Sequence, residues 1–322
     1  MAIISELFAI ILTFLVVLLL SIFFEKLLTK IGLMVPDVHK PDKKMVPRPG
    51  GPAIYIGIII IIFIFIRNII VIALVASISI GLLAGLLDDF LKFGGIEKPL
   101  LTAIAAAPFI ILGTYDPNPY IPFVGTVTIK ILYPLLLIAG FSIYSNAANM
   151  LDIYNGLLTG SMIVATVPLS IYFYIKGEYQ ILFISMIFIA GLSGFLVRHA
   201  YPSKLFPGDS GTLFIGAFYF ALMVLGRAEI IGIIATLPLI FNGFFILSSI
   251  RGFKEHSKIQ RPVIITNEGK ILAVKGKGIP ITLARLFASE GAVTEKEIIN
   301  GVWLMFTVSA ILAIFTTLVF LI

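Results

Sequence analysis

Residues 146–157, N-A-A-N-M-L-D-I-Y-N-G-L, put three amides and a carboxylate at the end of a long apolar run. Polar groups that close to hydrocarbon are costly, and persist mainly where they line a cavity or bind something. Asn149, Asp152 and Asn155 recur every third residue, so a helical segment would bring the first two together. Hard oxygen donors of this kind suit Mg²⁺, which keeps waters and shares its shell with phosphates; capping of a helix end by Asn and Asp is the bland alternative. Asp88-Asp89 closes another apolar run, with Lys92 and Lys98 following. Adjacent carboxylates repel, so the pair needs a cation, a metal or one raised pKa, unless it is only a solvated cap. In the stretch F-P-G-D-S-G, Gly208 and Gly211 let backbone approach a ligand, Asp209 offers a second metal carboxylate and Phe206 a face for a base; an ordinary turn before a helix is the rival reading. His256, Lys258 and Arg261 lie in the most basic loop, where they either clamp a pyrophosphate or serve as ordinary inward-facing positive charge against anionic lipid.

The elements that must position these residues are membrane spans. Of 322 residues, 59% are hydrophobic and only 12% charged, with a mean hydropathy of +1.11; a soluble domain carries about 25% charged residues. The chain is therefore expected to be an all-α integral membrane protein, one polytopic catalytic domain over residues 1–322. Ten spans are predicted: 7–24, 52–66, 69–87, 99–113, 131–148, 157–175, 180–197, 210–226, 229–250 and 300–322. The N-terminus does not read as a cleavable signal, since Glu6 precedes its apolar run and Lys26 and Lys30 follow it. Of the 23 Lys and Arg, 19 fall in odd-numbered loops. The positive-inside rule then makes those loops cytoplasmic (about 25–51, 88–98, 149–156, 198–209 and 251–299) and both termini external. That bias also accounts for the net charge of +6 without nucleic acid. The absence of cysteine excludes disulfides and thiolate metal sites. Residues 25–51, rich in Pro and Gly, read as an irregular lid. Residues 262–274 read as a β-hairpin about Asn-Glu-Gly, and 281–287 as a short amphipathic helix on the membrane surface.

Together these motifs resemble the polyprenyl-phosphate N-acetylhexosamine-1-phosphate transferases, over nearly the whole chain. Within that superfamily the sequence is most similar to the UDP-GlcNAc:dolichyl-phosphate GlcNAc-1-phosphate transferases of eukaryotes and archaea. Bacterial members usually carry Asp where Asn155 stands, and the muramoyl enzymes have a histidine triplet that is absent here. His256-Ser257-Lys258-Ile-Gln-Arg261 instead resembles the dolichol enzyme's His-Arg-x-x-Arg run, with Lys258 in place of an arginine. Carried over by position, the resemblance implies that Asn149 and Asp209 hold Mg²⁺ (or Mn²⁺) and that Lys98 contacts phosphate. It implies that Pro36, Asp37, Val38, Asn155 and Phe206 surround uridine and that His256, Ser257, Lys258 and Arg261 meet the diphosphate side of UDP-GlcNAc. Arg48 falls where the dolichol enzyme has an acidic nucleotide contact. Ser142, Asn146, Asn149 and Met150 would border the lipid phosphate.

The implied reaction moves GlcNAc-1-phosphate from UDP-GlcNAc to a polyprenyl (dolichyl) phosphate in the bilayer, releasing UMP, as the first membrane step of N-glycan assembly. A homodimer is the assembly considered, with UDP-GlcNAc, the polyprenyl phosphate and the bilayer as the other partners. Asp88, Asp89, Lys98 and Asp209 are the candidate catalytic groups. The lipid phosphate dianion is already abundant at pH 7, so positioning should matter more than a strong base. Another UDP-sugar or undecaprenyl phosphate is the nearest alternative. A secondary transporter using Asp88, Asp89, Asp152 and Asp209 for ions is the alternative from another class, although such a protein would tend to hold its charges near the midplane.

Overall fold

The computed structural model describes residues 2–122, 124–252, 260–276 and 278–321; His256, Ser257 and Lys258 lie outside them. Helix α1 (Ala2–Lys30) leads into a hairpin, β1 (Met34–Pro36) against β2 (Met45–Pro47). Then come α2 (Gly51–Phe65), α3 (Ile69–Leu91), α4 (Glu97–Ala103), a 3₁₀ turn at Ile104–Ala106 and α5 (Ala107–Leu112). A second hairpin, β3 (Tyr120–Ile121) with β4 (Gly125–Thr126), precedes α6 (Tyr133–Leu151), α7 (Leu157–Lys176), α8 (Tyr179–His199) and α9 (Gly208–Leu225). The chain ends through α10 (Glu229–Ala235), α11 (Leu237–Ile250), a third hairpin, α12 (Leu283–Phe287) and α13 (Glu295–Leu321); the third hairpin is β5 (Val263–Ile265) with β6 (Ile271–Ala273).

All ten predicted spans are helical, but not equally long. Among the described residues seven helices are long and apolar enough to cross a bilayer, or eight if the bent pair α10–α11 counts as one span. At about 1.5 Å per residue, the 23 residues of α3 reach about 35 Å, whereas the 15 of α2 reach about 22 Å. The fourth predicted span is three short pieces, and the ninth turns by 72° at Thr236, where Pro238 opens the next helix. Proline lacks the N–H that would continue the ladder.

Two expectations about the loops need correction. Helix α1 runs to Lys30, past the expected start of the lid, and the lid is a paired hairpin rather than irregular chain. The hairpin β3–β4, at the other end of the molecule from the lid, was not foreseen. The predicted hairpin at 262–274 is present, and the expected amphipathic helix forms over five residues, capped by Thr282 accepting from the Arg285 N–H.

The packing reverses the soluble pattern. On α1 the large apolar side chains Phe8, Ile11, Leu15, Leu19 and Phe23 are exposed, while Ala9, Thr13, Val17 and Ser21 are buried. Thr13 and Ser21 turn their hydroxyls back to the carbonyls of Ala9 and Val17. Small residues inside and bulky ones toward lipid are what close helix approach in a bilayer favours. Helix α9, apolar all round, is buried along nearly its whole length and is the axis of the bundle. It packs most intimately on α3. A Cβ at Gly85 would lie 2.3 Å from the Asp209 carbonyl oxygen, so only glycine lets the end of α3 meet the start of α9.

Candidate active site

The two adjacent acids of α3 have separate tasks. Asp89 reaches the N-terminus of α9, where its oxygens accept the backbone N–H groups of Asp209 (2.9 Å) and Ser210 (3.1 Å). Those donors have no helical partner, and the helix dipole favours a carboxylate there. Gly208, at φ +71°, turns the chain into this junction; a Cβ on it would lie 2.9 Å from an Asp89 oxygen. Asp88 points elsewhere. It closes its own helix by accepting from Phe93 N at 2.7 Å and pairs with Lys98 Nζ at 2.5 Å.

Lys98 is the hub. Besides Asp88 it touches Asp209 Oδ2 at 2.9 Å and lies 3.4 Å from Asn149 Oδ1. Its helix, α4, is pinned to α6: Ser142 donates to the Pro99 carbonyl (2.9 Å), and Asn146 donates to the Thr102 hydroxyl (2.9 Å). Ser142 and Asn146, expected to border a lipid phosphate, here fasten α4, the helix that carries Lys98, to α6. The Met150 carbonyl likewise accepts from Asn242.

Asn149 and Asp209 come from helix ends 60 residues apart in sequence, and Asn149 Nδ2 lies 2.9 Å from both Asp209 Oδ1 and the Thr212 hydroxyl. Arg48 completes the cluster: its Nε and Nη2 hold Asp89 Oδ1 (3.0 and 2.7 Å), and Nη2 also holds Asp209 Oδ1 (2.9 Å). Backbone hydrogen bonds from Gly50 and Gly51 to the carbonyls of Phe206 and Pro207, and from Phe206 to Pro47, fasten its loop beneath the α9 turn.

Among the described residues no three His, Asp or Glu side chains are grouped as a metal site. Mg²⁺ needs fewer, because it commonly takes one or two protein oxygens and completes its shell with water and phosphate. Asp209 and Asn149 meet that requirement. A half-turn of the Asn149 amide would set its oxygen beside Asp209 Oδ1, giving up the long contact with Lys98, and the Thr212 hydroxyl would turn to it from the Asp209 carbonyl it now meets at 3.2 Å. The residues fit the ion.

A second polar group adjoins the first under the lid. Asp37, buried, accepts from Lys40 Nζ (2.5 Å) and Asn155 Nδ2 (3.2 Å), while the Asn155 N–H donates to Glu295 at 3.1 Å. The His39 ring lies 4.7 Å from that of Tyr154. Burial, helped by the charges of Arg261 and Lys40 and opposed by Asp37, pulls His39 down to about 4, so it is neutral at pH 7. Pro36 and Val38 are exposed beside Asp37, Arg261 is exposed, and Phe206 is half-buried, edge-on to His199. Asp152 lies between the two groups. Burial raises it to about 7, against the pull of Arg48 and with the repulsion of Asp209; one of its oxygens has no hydrogen-bond partner and faces His199 Nε2 at 3.9 Å. Glu295, Thr212, His199 and Lys40 escaped the sequence reading. Of these only Thr212 carried a signal, one helical turn beyond Asp209.

The chain carries the signature of a described family between residues 70 and 227, and that family is glycosyl transferase family 4. A protein of Saccharolobus solfataricus, provisionally named a UDP-N-acetylglucosamine–dolichyl-phosphate N-acetylglucosaminephosphotransferase, is 30% identical over 86% of each chain. The chain belongs to glycosyl transferase family 4. A provisionally named glycosyltransferase of Methanocaldococcus jannaschii is 27% identical over 88% of this chain and 87% of its own. An undecaprenyl-phosphate N-acetylglucosaminyl 1-phosphate transferase of Bacillus subtilis, also a provisional name, is 28% identical over 73% and 67%. This family 4 protein is thus a multi-pass membrane transferase, and the acids, amides and lysine brought together around Asp209 lie inside the matched region.

Proposed function

We propose that the protein transfers GlcNAc-1-phosphate from UDP-GlcNAc to a polyprenyl phosphate of the dolichyl type, releasing UMP, at the cytosolic face of a cell membrane. The observation that carries this reading is Lys98 held between Asp88 and Asp209 with Asn149 alongside, a cation and three oxygen-bearing side chains converging from four helices.

An oxygen of the lipid phosphate attacks the β-phosphorus of the nucleotide sugar. The new P–O bond forms as the bond from that phosphorus to the bridging oxygen breaks, and the electron pair leaves on UMP. A divalent ion held by Asp209 and Asn149 would neutralise diphosphate charge. Lys98, kept in place by Asp88, meets the phosphate oxygens as negative charge redistributes. The Asn155–Asp37–Glu295 group fixes the wall against which uridine would lie, with Phe206 at its edge. Because the phosphate dianion needs no strong base, the contribution of these residues is orientation and charge.

The names of the archaeal and bacillary relatives share N-acetylglucosamine and differ in the lipid, so undecaprenyl phosphate is the acceptor to compare. The test is purified protein with Mg²⁺, radiolabelled UDP-GlcNAc and either dolichyl or undecaprenyl phosphate, scored for labelled lipid and UMP. Labelled lipid with dolichyl phosphate supports the reading. Label from a different UDP-sugar alone, or nucleotide cleavage without lipid product, overturns it.

A further inference from the structure

Asp209 is over-subscribed. Oδ2 faces Lys98, which has Asp88 as a second carboxylate, whereas Oδ1 faces both Asn149 and Arg48. With the Asn149 amide turned so that its oxygen stands beside Asp209 Oδ1, a divalent ion shared by the two residues takes Oδ1, since Lys98 occupies Oδ2. That is the oxygen Arg48 holds. Arg48 has somewhere else to stay: its Nε and Nη2 remain on Asp89, already anchored to α9 by two backbone N–H groups. The Nη1 corner makes no hydrogen bond among the described residues, and the side chain is 32% exposed. Three carboxylates and two cations meet here, so the cluster retains one negative charge and attracts a cation.

We infer that Arg48 is a second diphosphate-binding cation of this site, beside Lys98, and that it contests Asp209 with the divalent ion, giving up that oxygen when a nucleotide diphosphate offers it phosphate instead. This rests on the proposed use of a UDP-sugar and a divalent ion. A guanidinium suits the exchange because its planar fork serves two acceptors at once, one structural and one exchangeable. Metal and nucleotide then bind as coupled partners: the nucleotide draws Arg48 away and frees Oδ1, and the metal displaces Arg48 toward the nucleotide. By linkage each raises the other's affinity by the same factor.

The test measures binding rather than turnover. Mn²⁺ is titrated by electron paramagnetic resonance into purified protein, with and without saturating UDP, for wild type, Arg48→Gln and Arg48→Lys, after a thermal melt shows each variant folded. Arg48→Gln is expected to bind Mn²⁺ alone roughly fivefold more tightly or better, and the factor by which UDP tightens Mn²⁺ is expected to fall by a similar amount. Arg48→Lys, which keeps charge without the fork, should fall between; it carries the test if the glutamine variant does not fold. Mn²⁺ affinity in the variants equal to or weaker than wild type overturns the inference. So does a tightening that is the same with and without UDP, since removal of a bystander charge would leave the factor unchanged. If UDP leaves Mn²⁺ affinity untouched in the wild type, the coupling is refuted, whereas a sugar other than GlcNAc would alter none of these UDP measurements.

Discussion

Adjacent residues on a helix point about 100° apart, and Asp88 and Asp89 show what that separation does in a candidate catalytic cluster. Asp89 is the harder to replace structurally, since it satisfies two backbone donors while almost fully buried. Asp89→Asn turns part of an acceptor into a donor facing those N–H groups, and should cost about 1–3 kcal/mol, read as a lower melting temperature in detergent. Asp88→Asn should melt near wild type and lose turnover, because it loosens Lys98. Lys98→Ala should lower kcat about 10²- to 10³-fold, while Lys92→Ala, an exposed residue at the left-handed end of α3, should stay close to wild type. The types of these residues and their convergence on one end were legible in the sequence. Which acid would meet which partner was not, since Asp89 and its α9 donors are 120 residues apart. Asp152 gives a pH test. Its pKa is raised to about 7, so the folded state binds its proton more tightly than the unfolded state, and stability falls as pH rises from about 4 to about 7. Asp152→Asn lacks that loss. The variant's melting temperature should therefore exceed wild type by a few degrees at pH 8, with the gap closing toward pH 4; a gap independent of pH would show that Asp152 is not held protonated by burial.

At the scale of elements, the site depends on α3 and α9 meeting without a side chain between them. Gly85→Ala would press a methyl group 2.3–2.4 Å from the backbone of Asp209 and Ser210, and backbone cannot yield as a side chain can. The N-terminus of α9 must move, taking Asp209 off Lys98. The expected result is loss of UMP release together with about 1–3 kcal/mol of stability; full activity would mean that the junction tolerates displacement. Apolar runs made the helices legible, because hydrocarbon demands satisfied backbone and apolar side chains whatever the neighbours. Breaks were harder to see. Pro99 and Pro108 mark the broken fourth segment, and Pro238 the bend, yet prolines also sit unbroken inside membrane helices, as Pro168 does in α7. The lid hairpin was hidden for another reason: three-residue strands carry too little alternation to stand out among prolines.

Across the whole molecule, the charged cluster gathers at one end, where Arg48, Asp88, Lys98 and Asp209 interlock. The other end is closed by its own network: Asp116 pairs with Arg227, Tyr133 donates to Glu229, and Tyr172 donates to the Arg227 carbonyl. By the positive-inside rule, the uneven distribution of Lys and Arg predicts that the first end faces the cytosol. The cysteine-free chain makes this testable without removing a native thiol. Asp42, exposed on the lid, and Lys130, exposed before α6, lie in loops of opposite predicted side. In intact cells a membrane-impermeant maleimide should label Lys130→Cys and spare Asp42→Cys until the membrane is permeabilised, with both variants still releasing UMP. Labelling in the reverse order would turn the Asp209 cluster outward, away from the nucleotide pool on which the proposed reaction depends.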